Sequence, residues 1–354
     1  MILFWRRRLT IPVPSAAHCS DMESRQGEAT VGTARRMLSL VMVSVCAVLA
    51  FPIAARAEWP ERPVKLIVTF PPGSANDAAA RIFADALGKK WGKPVVVEDK
   101  PGAEGTIGVG SFVSNQDDHT LLYTVGGSVT VAPLLIDKLP YDVDRDLEPI
   151  AATTAIVLTL AVSNDLSVRS IPELIDVLRS NPGKYAWTSG PTLPRYVFAA
   201  FLKRNGLQMN FVSYRDASQP QADLGEGQIQ ALVTSLTASS SPVQTGKARF
   251  LAVVNPVRAA ALPDLQTARE LGYPELEIDG LGGIFGSKAM SEALRNRIAA
   301  DVTTICQQPD VHRKLEAGGH NVLSGTTEEL KAGIAKQRAW VGEITKIIDI
   351  RNAQ

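Results

Sequence analysis

The sequence predicts an α/β fold in two lobes, each built on a parallel or mixed sheet with flanking helices. The chain has 354 residues, more than one compact unit of ordinary size. From residue 58 onward, short apolar runs alternate with amphipathic segments, the pattern of βα units and a largely parallel sheet. No Pro-, Ser- or Gly-rich linker separates two blocks. Two lobes would then be joined by crossing strands and a short hinge, which suits a closing cleft. The expected division is 58–160 with 256–354 as lobe 1 and 161–255 as lobe 2, with hinges near 160 and 255.

Residues 64–70 read as the first strand, followed by a Pro-Pro-Gly turn and a helix over 77–91. Ile82, Phe83, Ala86, Leu87 and Trp91 fall on one face of that helix. Residues 95–98 and 121–125 are the next strands. The apolar run 156–162 is long enough to leave one lobe and enter the other. Ser170 is an N-cap, with Pro172 and Glu173 in the first turn behind it. Strands at 185–188, 211–214, 229–234 and 250–254 alternate with helices near 196–205 and 218–224. Two helices close the chain. Residues 291–306 put Leu294, Ile298, Val302 and Ile305 on one face. Thr326-Thr327-Glu328-Glu329 offers a capping box for a helix carrying Leu330, Ile334, Val341 and Ile348.

The formal net charge of +1 mixes two unlike segments. Residues 1–57 hold seven Arg against Asp21, Glu23 and Glu28, and the remainder has 30 basic and 33 acidic residues. A mildly acidic body with no Lys/Arg run gives no reason to expect nucleic-acid binding. The basic segment reads as an export signal: Arg35-Arg36, an apolar run from Met37 to Phe51, then Ala55-Arg56-Ala57 for signal peptidase. That run is too short to span a membrane as a helix. Cleavage after Ala57, and a periplasmic mature protein, are therefore expected. Cys19 and Cys46 would leave with the signal, so Cys306 would be the sole thiol, excluding an internal disulfide or a Cys-based metal site.

Three glycine-bearing turns follow predicted strands. They are Phe70-Pro71-Pro72-Gly73-Ser74-Ala75-Asn76-Asp77, the stretch from Pro101 to Gly108, and Val125-Gly126-Gly127-Ser128. In an open parallel sheet, ligands bind outside the carboxyl ends of the strands. Helix N-termini there present partial positive charge, so an anion can be held without many Lys or Arg.

This arrangement resembles the receptor proteins of the tripartite tricarboxylate transporter family, the Bug-type solute-binding proteins. The resemblance runs through Trp59-Pro60-Glu61-Arg62-Pro63, the Phe-Pro-Pro-Gly turn and Val97-Glu98-Asp99-Lys100-Pro101-Gly102-Ala103. It continues through Leu139-Pro140-Tyr141-Asp142, Asn181-Pro182-Gly183-Lys184, Leu262-Pro263-Asp264 and Glu270-Leu271-Gly272. It implies a periplasmic binding protein-like (type II) fold with a ligand cleft between the lobes. It further implies a receptor that is not an enzyme, works as a monomer, needs no cofactor or metal, and passes a small carboxylate to integral membrane permease subunits.

On the resemblance, the ligand would meet Phe70, Pro72, Gly73, Ser74, Asn76 and Asp77 in the first turn, and Gly127 and Ser128 in the third. Thr188, Ser189, Gly190, Arg195, Tyr214 and Thr234 would meet it from lobe 2. Asp77 has two readings, ligand contact or helix cap. Arg195 either pairs bidentately with a carboxylate or lies on the surface at a helix start. Ser74-Ala75-Asn76 stands where the family usually has Gly-Ser-Thr, and Pro191 to Arg195 replaces its Gly-Thr-Ser continuation. Asp216 stands for a glycine, and Thr234-Ser235 for Asp-Asn. The competing classes are a ligand sensor on the same fold and an α/β enzyme. Against the enzyme, there is no Gly-x-Ser-x-Gly, HExxH or P-loop pattern, and past residue 57 only His119, His312 and His320.

Overall fold

The computed structural model describes residues 59–115, 117–216 and 218–351. The export-signal expectation and Cys19 and Cys46 lie outside the described residues. The described residues fall in one compact unit. In chain order it contains β1 (Val64–Val68), α1 (Ala75–Trp91), β2 (Val95–Asp99), α2 (Thr106–Ser114), β3 (Thr120–Val125), α3 (Gly126–Thr130), α4 (Ala132–Leu135), α5 (Val143–Asp146) and β4 (Leu147–Ile156). There follow β5 (Leu158–Ser163), α6 (Ile171–Ser180), β6 (Ala186–Ser189), α7 (Leu193–Arg204), β7 (Asn210–Phe211), α8 (Gln219–Gly225), β8 (Ala231–Ser235), α9 (Leu236–Gln244) and β9 (Ala248–Val253). The chain ends with β10 (Leu281–Ser287), α10 (Glu292–Cys306), α11 (Pro309–Ala317), β11 (His320–Val322) and α12 (Thr327–Ile347).

Two sheets organise these elements. One has six strands in the order β11-β4-β10-β3-β1-β2, the other five in the order β7-β6-β8-β5-β9. In the first, β1 pairs parallel with β2 and β3, while β10 runs antiparallel to β3 and β4. In the second, β6 pairs parallel with β7 and β8, while β5 runs antiparallel to β8 and β9. Each sheet is therefore mixed, within the parallel or mixed sheets expected, and holds more antiparallel pairing than the βα pattern alone suggests. The parallel strands come from local βα units. β4, β5, β9 and β10 carry the chain between sheets and pair antiparallel. The run 156–162 does cross: Ile156 ends β4, Leu158 begins β5, and only Val157 separates them.

Local chemistry explains where the helices begin. Ser170, Ser291 and Thr326 each cap a helix, accepting the backbone N–H of Glu173, Leu294 and Glu329. α7 starts at Leu193, three residues earlier than expected, because Pro194 is tolerated in a first turn. The strand expected over 211–214 stops at Phe211. α11 is a third carboxyl-terminal helix where two were expected, and α2, α9, β10 and β11 had no counterpart among the expected elements. β10 reads Leu-Gly-Gly-Ile-Phe-Gly-Ser, so its glycines suggest a loop, yet every residue in it is buried.

The two sheets have separate apolar cores, and α12 serves both. Its Leu330 and Ile334 pack with Ile67, Leu122 and Phe285 of the six-stranded sheet's side. Its Val341 and Ile344 join the cluster that holds Leu160, Phe198 and Phe201. Ala268, Leu276 and Ile278 pack in that second cluster too.

Candidate functional site

The carboxyl ends of β1, β3, β6 and β8 open onto one cavity of about 470 Å³, within the range of small-molecule sites. Both sheets contribute to it. From the six-stranded side come Phe70, Ser74, Asn76, Glu104 and Gly127. From the five-stranded side come Thr188, Ser189, Gly190, Thr192, Arg195, Phe211, Tyr214 and Thr234, and Asp279 lies on the return segment before β10.

Helix starts dominate this wall. Ser74, Thr192 and Ser235 are the N-cap residues of α1, α7 and α9, helices of 17, 12 and 9 residues, and all three line the cavity. The Ser74 hydroxyl accepts the Asp77 N–H at 3.2 Å, while Ala75 and Asn76 open the helix with amides that have no intrahelical acceptor. Asn76 is 6% exposed, and its Oδ1 has no hydrogen-bond partner. The Ser189 hydroxyl is buried in the same condition.

The charges in the wall are of both signs. The Arg195 guanidinium stacks 4.0 Å from the centre of the Phe211 ring, which holds its planar fork in place. Burial pushes the Glu104 carboxyl up, against the Thr192 N–H and the Arg195 charge, which pull it down. Burial likewise raises Asp279, with Lys336 opposing. The Tyr214 hydroxyl donates to Asp223 at 2.7 Å, and burial first, then that bond, raises its pKa. The Thr188 hydroxyl donates to the Val212 carbonyl at 2.7 Å. Both of these hydroxyl protons are thus already committed within the five-stranded side. Among the described residues no group of three or more His, Cys, Asp or Glu could hold a metal ion.

Of the expected contact residues, Phe70, Ser74, Asn76, Gly127, Thr188, Ser189, Gly190, Arg195, Tyr214 and Thr234 line the cavity. Pro72, Gly73, Asp77 and Ser128 are not among its lining residues, for separate reasons. Pro72 and Gly73 are exposed. Asp77 accepts the Gly73 N–H at 2.7 Å and pairs with Arg81 at 2.7 Å, so its carboxylate closes the helix start. Ser128 is 1% exposed and packs on Gly105, where an added Cβ would lie 2.4 Å from its hydroxyl oxygen. Arg195 stands in the first turn of α7 and lines the cavity.

Glu104, Thr192, Phe211 and Asp279 were not expected here. Glu104 lies inside the second glycine turn, so its position was signalled but its direction was not. Thr192 has φ +61°, a left-handed conformation rare for threonine, and no residue pattern announces it.

A model of the tripartite tricarboxylate transporter family receptor matches residues 79–350. Protein BugT of Bordetella pertussis is 27% identical over 315 residues, covering 87% of this chain and 96% of its own. A periplasmic transporter of solved structure superposes with a TM-score of 0.73 at 27% identity, over 81% of this chain and 97% of its own. The Rpa4515 protein of R. palustris, solved with adipate, has the same fold, with a TM-score of 0.74, 23% identity, and coverage of 82% and 98%. The fold is therefore that of the two-lobed periplasmic binding proteins, with two mixed sheets and flanking helices. The chain belongs to the tripartite tricarboxylate transporter family of receptors, which are solute-binding proteins.

Proposed function

We propose that this receptor is exported, captures a small carboxylate-bearing solute in the cavity between its two sheets, and delivers it to the integral membrane subunits of a tripartite transporter. One observation carries the reading of the ligand. The N-cap residues of three helices line the same cavity as Arg195, which brings three positive dipole ends and a guanidinium to one place. Within this reading the lobes are residues 58–160 with 256–354 and residues 161–255. The turns around Phe70, Asn76 and Gly127 bind first. Thr188, Ser189, Gly190, Arg195, Tyr214 and Thr234 then close over the solute as a monomer. Cleavage after Ala57 yields the periplasmic form. The adipate held by Rpa4515 makes dicarboxylates the first compounds to try.

Residues 58–354, titrated with mono-, di- and tricarboxylates, acidic amino acids and aromatic acids, test this by thermal unfolding. A ligand at about 100 times its Kd stabilises the fold by roughly 2.7 kcal/mol, a rise of several degrees. A shift confined to one class of acid supports the reading, and a flat response across the acids overturns it. Loss of uptake of that acid in a strain lacking the receptor tests the delivery step.

A further inference from the structure

We propose that Glu104 makes this receptor selective for acids that carry a hydrogen-bond donor, an ammonium or a hydroxyl, beside the carboxylate. This rests on the carboxylate reading of the cavity and sharpens it. The segment that presents Glu104 is built for the purpose at a conformational cost. Gly102, Ala103, Glu104 and Gly105 follow one another at φ +120°, +46°, +55° and +87°. Two of the four are not glycine, and left-handed backbone at such residues persists where the surroundings hold it. The loop turns the Glu104 side chain into the cavity wall, where the nearby Thr192 N–H and Arg195 charge pull its pKa down against burial. One carboxylate oxygen, Oε2, is buried and has no hydrogen-bond partner.

Three features make that oxygen a recognition element. It is an acceptor in a wall that also holds three helix starts and the Arg195 guanidinium, so it takes a donor placed beside the carboxylate that they hold. Asp279, the half-buried carboxyl of the return segment, differs in having Lys336 as the chief group opposing the rise that burial gives its pKa. A solute that brings a donor gives Oε2 the hydrogen bond it lacks, and a solute without one does not. Glu104 touches solute in this scheme and selects among solutes.

Three sets of matched acids test the assignment by calorimetric titration of residues 58–354: succinate, malate and aspartate; glutarate, 2-hydroxyglutarate and glutamate; phenylacetate, mandelate and phenylglycine. Within the set that fits the cavity, a substituted acid is expected to bind about tenfold more tightly than its plain parent. The hydroxy and amino members distinguish which donor is read. In Glu104→Gly, which suits the left-handed backbone and keeps the loop foldable, that preference should shrink toward one. Glu104→Gln should keep a hydroxyl preference and lose an ammonium preference. Three outcomes overturn the proposal. One is plain acids binding as well as substituted ones, and another is the preference surviving in Glu104→Gly. The third is Glu104→Gly weakening every member of a set equally, which would assign Glu104 to supporting the wall around Thr192. Binding of none of the nine acids, with the protein folded, overturns the carboxylate reading itself and this one with it.

Discussion

Gly127 shows how little space separates the two sides of the cavity. A Cβ on it would lie 2.5 Å from the Thr192 hydroxyl oxygen and 2.9 Å from the Thr192 Cβ. Gly127 follows β3 of the six-stranded sheet, and Thr192 follows β6 of the five-stranded one, so this contact forms where the lobes meet. Gly127→Ala should force Thr192 away, lowering the melting temperature of the empty protein and weakening solute binding by about tenfold or more. An unaltered melting temperature, or unaltered affinity by titration, would contradict this placement. Arg195 and Asn76 illustrate a different point. Each came from a turn or helix start that the sequence marks, and each lines the cavity. Asp77 came from the same turn and instead closes it, because its carboxylate reaches back to Gly73 and across to Arg81.

At the scale of elements, β11 links a short edge strand to the start of α1. His320 in β11 is 1% exposed, and its Nε2–H donates to the Ala75 carbonyl at 3.0 Å. Its Nδ1 has no hydrogen-bond partner. Burial holds the imidazole pKa down to about 4 from 6.5, despite the Ala75 bond, which acts the other way. The unfolded chain therefore takes up a proton between those values that the native protein refuses. Stability must then fall as pH drops from about 6.5 to about 4, by on the order of 3 kcal/mol from this group. His320→Gln removes the titration, so its urea midpoint should decline less over that window than the parent's. Equal slopes in the two proteins would rule His320 out as the source. The sequence marks this helix start through its Pro-Pro-Gly turn, but nothing in it places a histidine 245 residues away beneath Ala75.

The molecule as a whole is held by α12 as well as by crossing strands. A helix of 21 residues is roughly 30 Å long, enough to put Leu330 in one core and Val341 in the other. The two sheets should therefore unfold together. Leu330→Ala should destabilise the protein by about 2–5 kcal/mol and lower hydrogen-exchange protection in both sheets alike. Separate transitions, with β6 and β8 still protected after β1 and β3 exchange, would show that α12 does not couple the cores.

Period and caps were legible in the sequence because they depend on neighbours a few residues apart. Ser170, Ser291 and Thr326 start helices as their local patterns require, and the alternation of strand and helix announces an α/β fold. The family motifs in order along the chain likewise needed no coordinates. Tertiary structure alone decided the rest. β10 is a buried central strand despite three glycines, because β3 and β4 supply its ladder from either side. The direction of Glu104, the left-handed Thr192 and the meeting of Gly127 with Thr192 depend on residues far apart in the chain. Local pattern carries hydrogen bonds within an element. Which side chains share a cavity is set by how two sheets and a common helix pack, and that information is not local.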